Sequence, residues 1–184
     1  MDKINLYYYS IVGYEVSIEK LKGGTMGRDK HFTDINALLA DAQNSINKAL
    51  RNEVMDAVRE VELRHVERDV LSVYTPSIYE RRGSGGIEDV RNIIGTVKDG
   101  RLTVENVTPF NEDYGTRNQG NTLAYMINEG GNSEHDYEYG FRGAEAVYAN
   151  PRPFIDNTVE ELDETEIIED ALAKGMKKDG IDLY

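Results

Sequence analysis

Alternating apolar and polar residues predict β-structure near the start of the chain. Residues 12–19 place one set of side chains on one face, Val12, Tyr14, Val16 and Ile18, and a polar or small set on the other. A period of two is typical of a half-buried strand. The preceding Ile4–Ile11 stretch is rich in tyrosine and β-prone, and we expect it to extend this strand.

A helical period replaces the alternation from Thr33 onward. Apolar residues recur at helical spacing from Ile35 to Val61, and neither Gly nor Pro occurs between residues 28 and 75. The pattern predicts a helix over Asp34–Arg64, which would be about 45 Å long at 1.5 Å per residue. Because this length exceeds the diameter of a compact domain of this size, we expect the helix to project or to form a spine.

Short β-prone segments follow the predicted helix. Val70–Tyr74 is one, and Arg91–Val97 and Arg101–Val107 are two others that flank Lys98-Asp99-Gly100. Asp-Gly supplies the positive φ angles of a tight hairpin turn, so the second and third are expected to pair. The glycine-rich segment Arg81–Gly86 is expected to be a flexible, exposed loop. Leu123–Ile127 is apolar but too short to assign.

The C-terminal part of the chain predicts one amphipathic helix. Its start is expected within Pro153–Thr158, because Pro favours the first helical position and Thr158 and Glu161 have capping-box spacing. One apolar stripe follows, made of Ile155, Val159, Leu162, Ile168, Leu172 and Met176, and the other faces are mainly acidic. Gly180 is expected to end this helix.

Together these elements predict an α+β fold with a long helix in the N-terminal half, a small antiparallel sheet and a C-terminal amphipathic helix. Two parts are expected: a β-prone extension over residues 1–32 and an α+β core over residues 33–184.

Charge restricts the classes of partner. The 184 residues include 21 Lys and Arg against 34 Asp and Glu, a formal net charge of −13. Direct nucleic-acid binding depends on cations that neutralise phosphates, so this balance argues against it. The balance is compatible with lining a channel through which DNA passes without specific binding. The chain has no Cys, which excludes disulfides and thiolate metal sites.

No membrane segment or signal peptide is expected. The charge-free run Ile4–Tyr14 is too short to span a bilayer, which needs about 18 or more apolar residues. It also lacks a small-residue cleavage site. We therefore expect synthesis in the cytoplasm.

The search for catalytic chemistry yields one weak group. His135, Asp136 and Glu138 lie close together in the sequence and have the side chains that bind divalent ions, but a solvated acidic loop is the favoured interpretation. Gly83, Gly85 and Gly86 lack the Lys-Ser/Thr of a phosphate-binding loop. We expect no enzyme activity, no cofactor and no metal.

Three phrases resemble the tail-completion or head–tail joining proteins of tailed bacteriophages, which are minor structural proteins of the virion neck. The first is Tyr79-Glu80-Arg81-Arg82 with Gly85–Asp89 and Asn92-Ile93. The second is Leu123–Gly130, and the third is Asn150-Pro151-Arg152-Pro153-Phe154-Ile155 before the last helix. They occur in the family's order between about Thr33 and Lys178.

The resemblance implies a virion protein that forms a cyclic oligomer, six- or twelve-fold, between the capsid portal and the tail. Its partners would be further copies of the chain and adjacent neck, portal-adaptor or tail-tube proteins. Closed rings use heterologous contacts, for which the candidate interface residues are Arg81, Arg82, Arg152 and Phe154. Locally, Phe154 is also expected to anchor the last helix in the core. The N-terminal extension is a candidate arm that adds a strand to a neighbouring subunit.

Two other classes stay open. An acidic binding module, such as a DNA mimic or an inhibitor of a basic protein, would use the net charge of −13 and the acidic last helix. A metal-dependent hydrolase would use His135, Asp136 and Glu138.

Overall fold

A computed structural model describes residues 14–17, 25–26, 35–73, 83–98, 100–109, 122–130 and 151–182. These residues form an α+β fold, as the sequence predicts. Its helices are one long helix, three shorter α-helices and a 3-10 helix at Val90–Asn92, and its strands form a three-stranded and a two-stranded antiparallel sheet.

The long helix runs without interruption over residues 35–71, and we call it the spine helix. It comprises α1 (Ile35–Ala49), a π-helical segment (Leu50–Val54), α2 (Met55–His65) and a second π-helical segment (Val66–Leu71). The predicted helix is confirmed, but its predicted end at Arg64 is wrong. Val66 and Val70 continue the buried apolar stripe, so the segment predicted as a strand from Val70 is helical at Val70 and Leu71.

The larger sheet has the strand order β1-β4-β3, with β1 over Tyr14–Ser17, β3 over Ile93–Lys98 and β4 over Arg101–Asn106. The predicted hairpin is confirmed, because Lys98 pairs with Arg101 and Gly100 has a φ of +78°. The predicted N-terminal strand is also present at Tyr14–Ser17. It pairs with β4 of its own chain, and strand addition to a neighbouring subunit stays a prediction.

Three shorter helices complete the described fold. Leu123–Glu129 is α3, which assigns the apolar run that the sequence left open. The predicted C-terminal helix begins at Phe154, inside the expected window, but it is two helices: α4 over Phe154–Glu164 and α5 over Ile167–Lys178. The backbone of Thr165 is extended and breaks the helix, although neither Gly nor Pro marks the site.

Strand β5 (Ile181–Asp182) follows Gly180, whose φ is +82°, and pairs with β2 (Thr25–Met26).

The spine helix packs against both the larger sheet and the C-terminal helices. The apolar core includes Leu50, Val54 and Val58 of the spine, Leu102 and Val104 of β4, and Phe154 and Leu162 of α4. Two glycines allow close approach to the spine. A Cβ at Gly95 would lie 2.4 Å from Met55 Sδ, and one at Gly175 would lie 2.5 Å from Ala49 Cβ.

Within the described ranges, no helix combines the length and the apolar character needed to cross a membrane.

Candidate functional site

Polar side chains concentrate where the end of α2 meets α4, and we call this group the His65 cluster. It consists of His65, Asp69, Arg68, Asn157 and Glu161. The imidazole is 3% exposed. Its Nδ1 lies 2.9 Å from Asp69 Oδ2, and its Nε2 lies 2.9 Å from Glu161 Oε2. The guanidinium atom Arg68 Nη2 also lies 2.8 Å from Nδ1. The imidazole thus contacts a carboxylate of the spine helix and one of α4, and it bridges the two helices.

Asp69 accepts hydrogen bonds from three other side chains of the cluster. Burial opposes its ionisation, but hydrogen bonds from Arg68, Asn157 and His65 outweigh burial and lower the pKa of Asp69 to about 2. Asn157 Nδ2 donates to Asp69 Oδ2 over 2.9 Å, a second link between the spine and α4. Arg64 adds a third link through its ion pair with Glu161. The His65 cluster therefore fixes how α4 lies on the spine.

A second polar group, the Glu62 cluster, joins the spine helix to the larger sheet. It consists of Glu62, Asn106 and Thr108, all at most 2% exposed. Asn106 Nδ2 donates to Glu62 Oε1 over 2.8 Å, and the Thr108 hydroxyl donates to Asn106 Oδ1 over 2.6 Å. Burial raises the pKa of Glu62 to about 7, against the smaller opposing effect of the Asn106 hydrogen bond. A carboxyl group in this environment is near half-protonated at neutral pH.

The structure describes Gly83–Gly86 of the glycine-rich segment that was predicted to be exposed, and there Ser84 is exposed whereas Gly86 is buried. Asp89 accepts hydrogen bonds from the backbone N–H groups of Gly85 (2.6 Å) and Arg91 (3.0 Å). The Arg91 guanidinium and these two N–H groups hold the pKa of Asp89 well below its usual range. Asn92 Nδ2 donates to Gly86 O over 2.8 Å, and Gly86 itself is buried.

The turn before α4 forms a third junction. Arg152 N–H donates to Ile127 O over 2.9 Å, and Ile155 N–H donates to Asn128 Oδ1 over 2.9 Å. Asn128, at the end of α3, thus satisfies one of the first N–H groups of α4, which have no partner within their own helix. Asn128 Nδ2 also donates to Asp156 Oδ2 over 3.0 Å.

Of the four candidate interface residues, the structure describes two. Arg81 and Arg82 lie outside the described residues. Arg152 is half-buried at the turn before α4. Phe154 is 0% exposed inside the core, so its side chain is not available to another subunit. The prediction that Phe154 contacts another subunit is therefore corrected. Its expected role as the anchor of the last helix is confirmed.

The metal candidates His135, Asp136 and Glu138 also lie outside the described residues. Among the side chains that the structure describes, no group of three or more His, Cys, Asp or Glu is arranged to hold a metal ion.

Sequence reasoning missed both polar clusters. The sequence pattern assigns no contact to His65 or to Glu62. Their partners lie 96 and 44 residues away, at Glu161 and Asn106. The available signal was a carboxylate on the apolar face of a helix, since Glu62 follows Val58 and Val61 on the buried stripe. The His65 and Glu62 clusters connect elements of the fold, and both nitrogens of His65 are engaged in doing so.

Comparison with known proteins places the chain in a family. Residues 32–178 match the family model described as YomN. The chain belongs to the YomN family. It is 31% identical over 153 residues to the SPbeta prophage-derived uncharacterized protein YomN of Bacillus subtilis strain 168, a match that covers 83% of this chain and 96% of that protein. No solved structure matches.

The prophage origin of that relative supports the phage part of the resemblance drawn from the sequence. The match to the YomN family therefore indicates that the chain belongs to a phage-derived family.

Proposed function

We propose that this YomN-family chain is a structural virion protein of a tailed phage. In this proposal it forms part of the head–tail connector, or neck, as a ring-like oligomer that completes the tail or joins it to the capsid portal. Its partners are further copies of itself and adjacent neck, portal-adaptor or tail-tube proteins. The virion neck is then its location after synthesis in the host cytoplasm, and it works without a cofactor.

One observation carries the proposal: the phrases that resemble neck proteins are joined to one another in the fold. Within the first phrase, Gly86 O accepts from Asn92, and it lies 3.4 Å from the Thr108 hydroxyl. Thr108 O accepts from Leu123 N–H, which begins the second phrase. The second and third phrases meet through the Arg152–Ile127 hydrogen bond.

These hydrogen bonds thus use groups of all three phrases to hold the fold together. Sequence phrases whose polar groups hold the architecture together fit a structural protein, and this supports the proposal. Charge supports it as well, since a net charge of −13 disfavours sticking to DNA that passes through a ring.

The native mass of the full chain over a concentration series tests this proposal, together with negative-stain images of any large species. A discrete ring with cyclic symmetry is expected, with six or twelve copies. A strict monomer at every concentration would count against a self-assembling neck component. Cysteine-free chains suit this experiment because oxidation cannot cross-link them artificially.

A second candidate function, an acidic binding module, is favoured by the surface of the C-terminal helices. Exposed carboxylates lie along α4, at the break and on α5: Glu160, Asp163, Glu164, Glu166 and Asp170. Such a surface suits a basic protein partner. Binding to a nucleic-acid-binding protein that weakens steeply with added salt would favour this candidate, because exposed charges are screened by salt.

A further inference from the structure

Strand β3 lies at an edge of the larger sheet. In the order β1-β4-β3 it pairs with β4 on one side, and no described strand pairs with it on the other. Natural edge strands are protected by charges, prolines, bulges or covering segments, because their unpaired backbone groups can pair with another chain. Between Ile93 and Val97, β3 contains neither Pro nor a charged residue.

Register identifies the backbone groups that face the free edge. Val107 N–H donates to Asn92 O over 2.8 Å, so Asn92 and Val107 form a hydrogen-bonded pair. Hydrogen-bonded and non-hydrogen-bonded pairs alternate along an antiparallel ladder. The N–H and C=O groups of Ile93, Gly95 and Val97 therefore point away from β4.

The side chain of Arg59 agrees with this orientation of the backbone groups, because it binds the outward-facing carbonyl group of Ile93. Its Nε and Nη2 atoms donate to Ile93 O over 3.1 and 3.0 Å. Among the residues that the structure describes, none pairs with the outward groups of Gly95 and Val97, and Gly95 is exposed. Beside them Ile94 is 42% exposed on the outer face of the sheet, an apolar surface at an unprotected edge.

We propose that this edge of β3 binds the N-terminal segment Ile4–Ile11 of a second copy of the chain, which adds as a strand. The segment has no charged residue and consists mostly of Ile, Leu and Tyr, residue types that favour strands and would cover Ile94. The inference rests on the proposed ring-forming function and names a contact for it.

Two arguments favour this occupant over alternatives. First, a strand beyond β3 lies about 14 Å from β1 at 4.8 Å per strand, so an arm that reaches its own β3 edge uses about five of the residues before β1 for the crossing. The arm of a second copy can lie along the edge over its whole length, which favours a contact between copies.

Second, two β3 edges paired with each other would make a two-fold contact, which closes at a dimer and cannot build the proposed ring. Because the arm and the edge are different surfaces, the contact is heterologous and can close a ring.

Cysteine mapping tests the contact directly, because the chain has no Cys of its own. Full-length variants with one Cys each at positions 5 to 9 are mixed singly with Ile94→Cys and oxidised. The expected result is a disulfide-linked dimer whose yield rises and falls with a period of two along the arm. The matched control is Thr103→Cys on β4, which shares the outer face but lies one strand inward and should give little dimer.

A proline pair tests the same contact without oxidation. Val97→Pro removes an N–H that faces the free edge, and Tyr8→Pro interrupts the arm. Each variant alone is expected to lose self-association. Their mixture is expected to recover a dimer, because the Val97→Pro copy keeps its arm and the Tyr8→Pro copy keeps its edge. Recovery in the mixture also shows that both variants fold.

The outcomes separate this inference from the proposed function. A ring by native mass without the period-two cross-links overturns the β3 contact and leaves the neck proposal standing. Period-two cross-links in a species that never exceeds a dimer support the contact and count against the ring. Cross-linking that is equal at all five arm positions, or a mixture of proline variants that stays monomeric, overturns the contact.

Discussion

Asn106 at the end of β4 donates a hydrogen bond to Glu62 on the spine helix over 2.8 Å, where Glu62 is 1% exposed. This one contact ties the sheet to the helix through a carboxyl group that burial keeps partly protonated at neutral pH. Because a buried acid of this kind is sensitive to pH, the contact makes the stability of the whole fold depend on pH.

Glu62→Gln is expected to stabilise the fold at pH 8 by about 3 kcal/mol. The pKa of Glu62 is about 7 in the folded chain and ordinarily 4.5, so the folded state binds more protons between these values. The free energy of unfolding of the native chain therefore falls as pH rises from about 4.5 to 7. Gln keeps the acceptor for Asn106 without ionising.

Urea unfolding of both chains at pH 5 and pH 8 measures this effect. Glu60→Gln, an exposed neighbour on the same helix, is the control and should change stability little at either pH. An equal effect of Glu62→Gln at both pH values would show that folding leaves the pKa of Glu62 unshifted.

Asp69→Asn is expected to have the opposite sign. The pKa of Asp69 is about 2 in the folded chain against an ordinary 3.8, so its contribution to stability is fully present above about pH 4 and is lost as pH falls towards 2. The substitution should cost about 2 kcal/mol at pH 7 and progressively less between pH 4 and pH 2. Chemical denaturation across this range measures it, with exposed Glu67→Gln as the control.

Gly175→Ala is expected to destabilise the fold by about 1–3 kcal/mol, although Ala is the better helix former. The added Cβ would lie 2.5 Å from Ala49 Cβ and 2.9 Å from Ala49 Cα, and backbone atoms cannot move aside cheaply. Thermal unfolding measures the loss. Adding Ala49→Gly should restore part of it, since the nearest clashing atom is removed. Unchanged stability of the single variant would mean that α5 sits farther from the spine.

Asp89→Ala is expected to loosen the glycine-rich loop without unfolding the chain. Asp89 accepts from the N–H groups of Gly85 and Arg91, which lose this acceptor in the variant. Amide hydrogen exchange should therefore accelerate at these two positions. The amides of α5, which lie in a separate element, serve as the internal reference, and equal acceleration there would indicate global destabilisation instead.

The sequence predicted the elements that depend on local pattern. The spine helix was predictable because its apolar period runs on without Gly or Pro, and the β3–β4 hairpin because Asp99-Gly100 determines its turn. The helix end was misplaced since Val70 and Leu71 favour strands locally, whereas burial of Val70 against the core holds them helical. The break at Thr165 carries no local signal, so the two C-terminal helices were predicted as one.

The polar clusters could not be predicted because they depend on contacts across the chain. Nothing in the sequence around His65 indicates that Glu161 will face it, and nothing around Glu62 indicates Asn106. Phe154 shows a second limit of sequence-based prediction. It belongs to a recognisable phrase and was predicted as an interface residue, but its side chain is buried in the core of its own chain. Sequence thus identified the elements, and the structure was needed to show which residues join them.

The small β2–β5 sheet has a consequence for biosynthesis. Thr25 pairs with Asp182 and Met26 with Ile181, so the partner of β2 is synthesised about 155 residues later. At ribosomal rates of 5–20 residues per second this delay is roughly 8–30 s. During translation the nascent chain can form the spine helix early, but β2 cannot pair with β5 until β5 has left the ribosome. Closure of this sheet is therefore a late event in the maturation of each newly made chain.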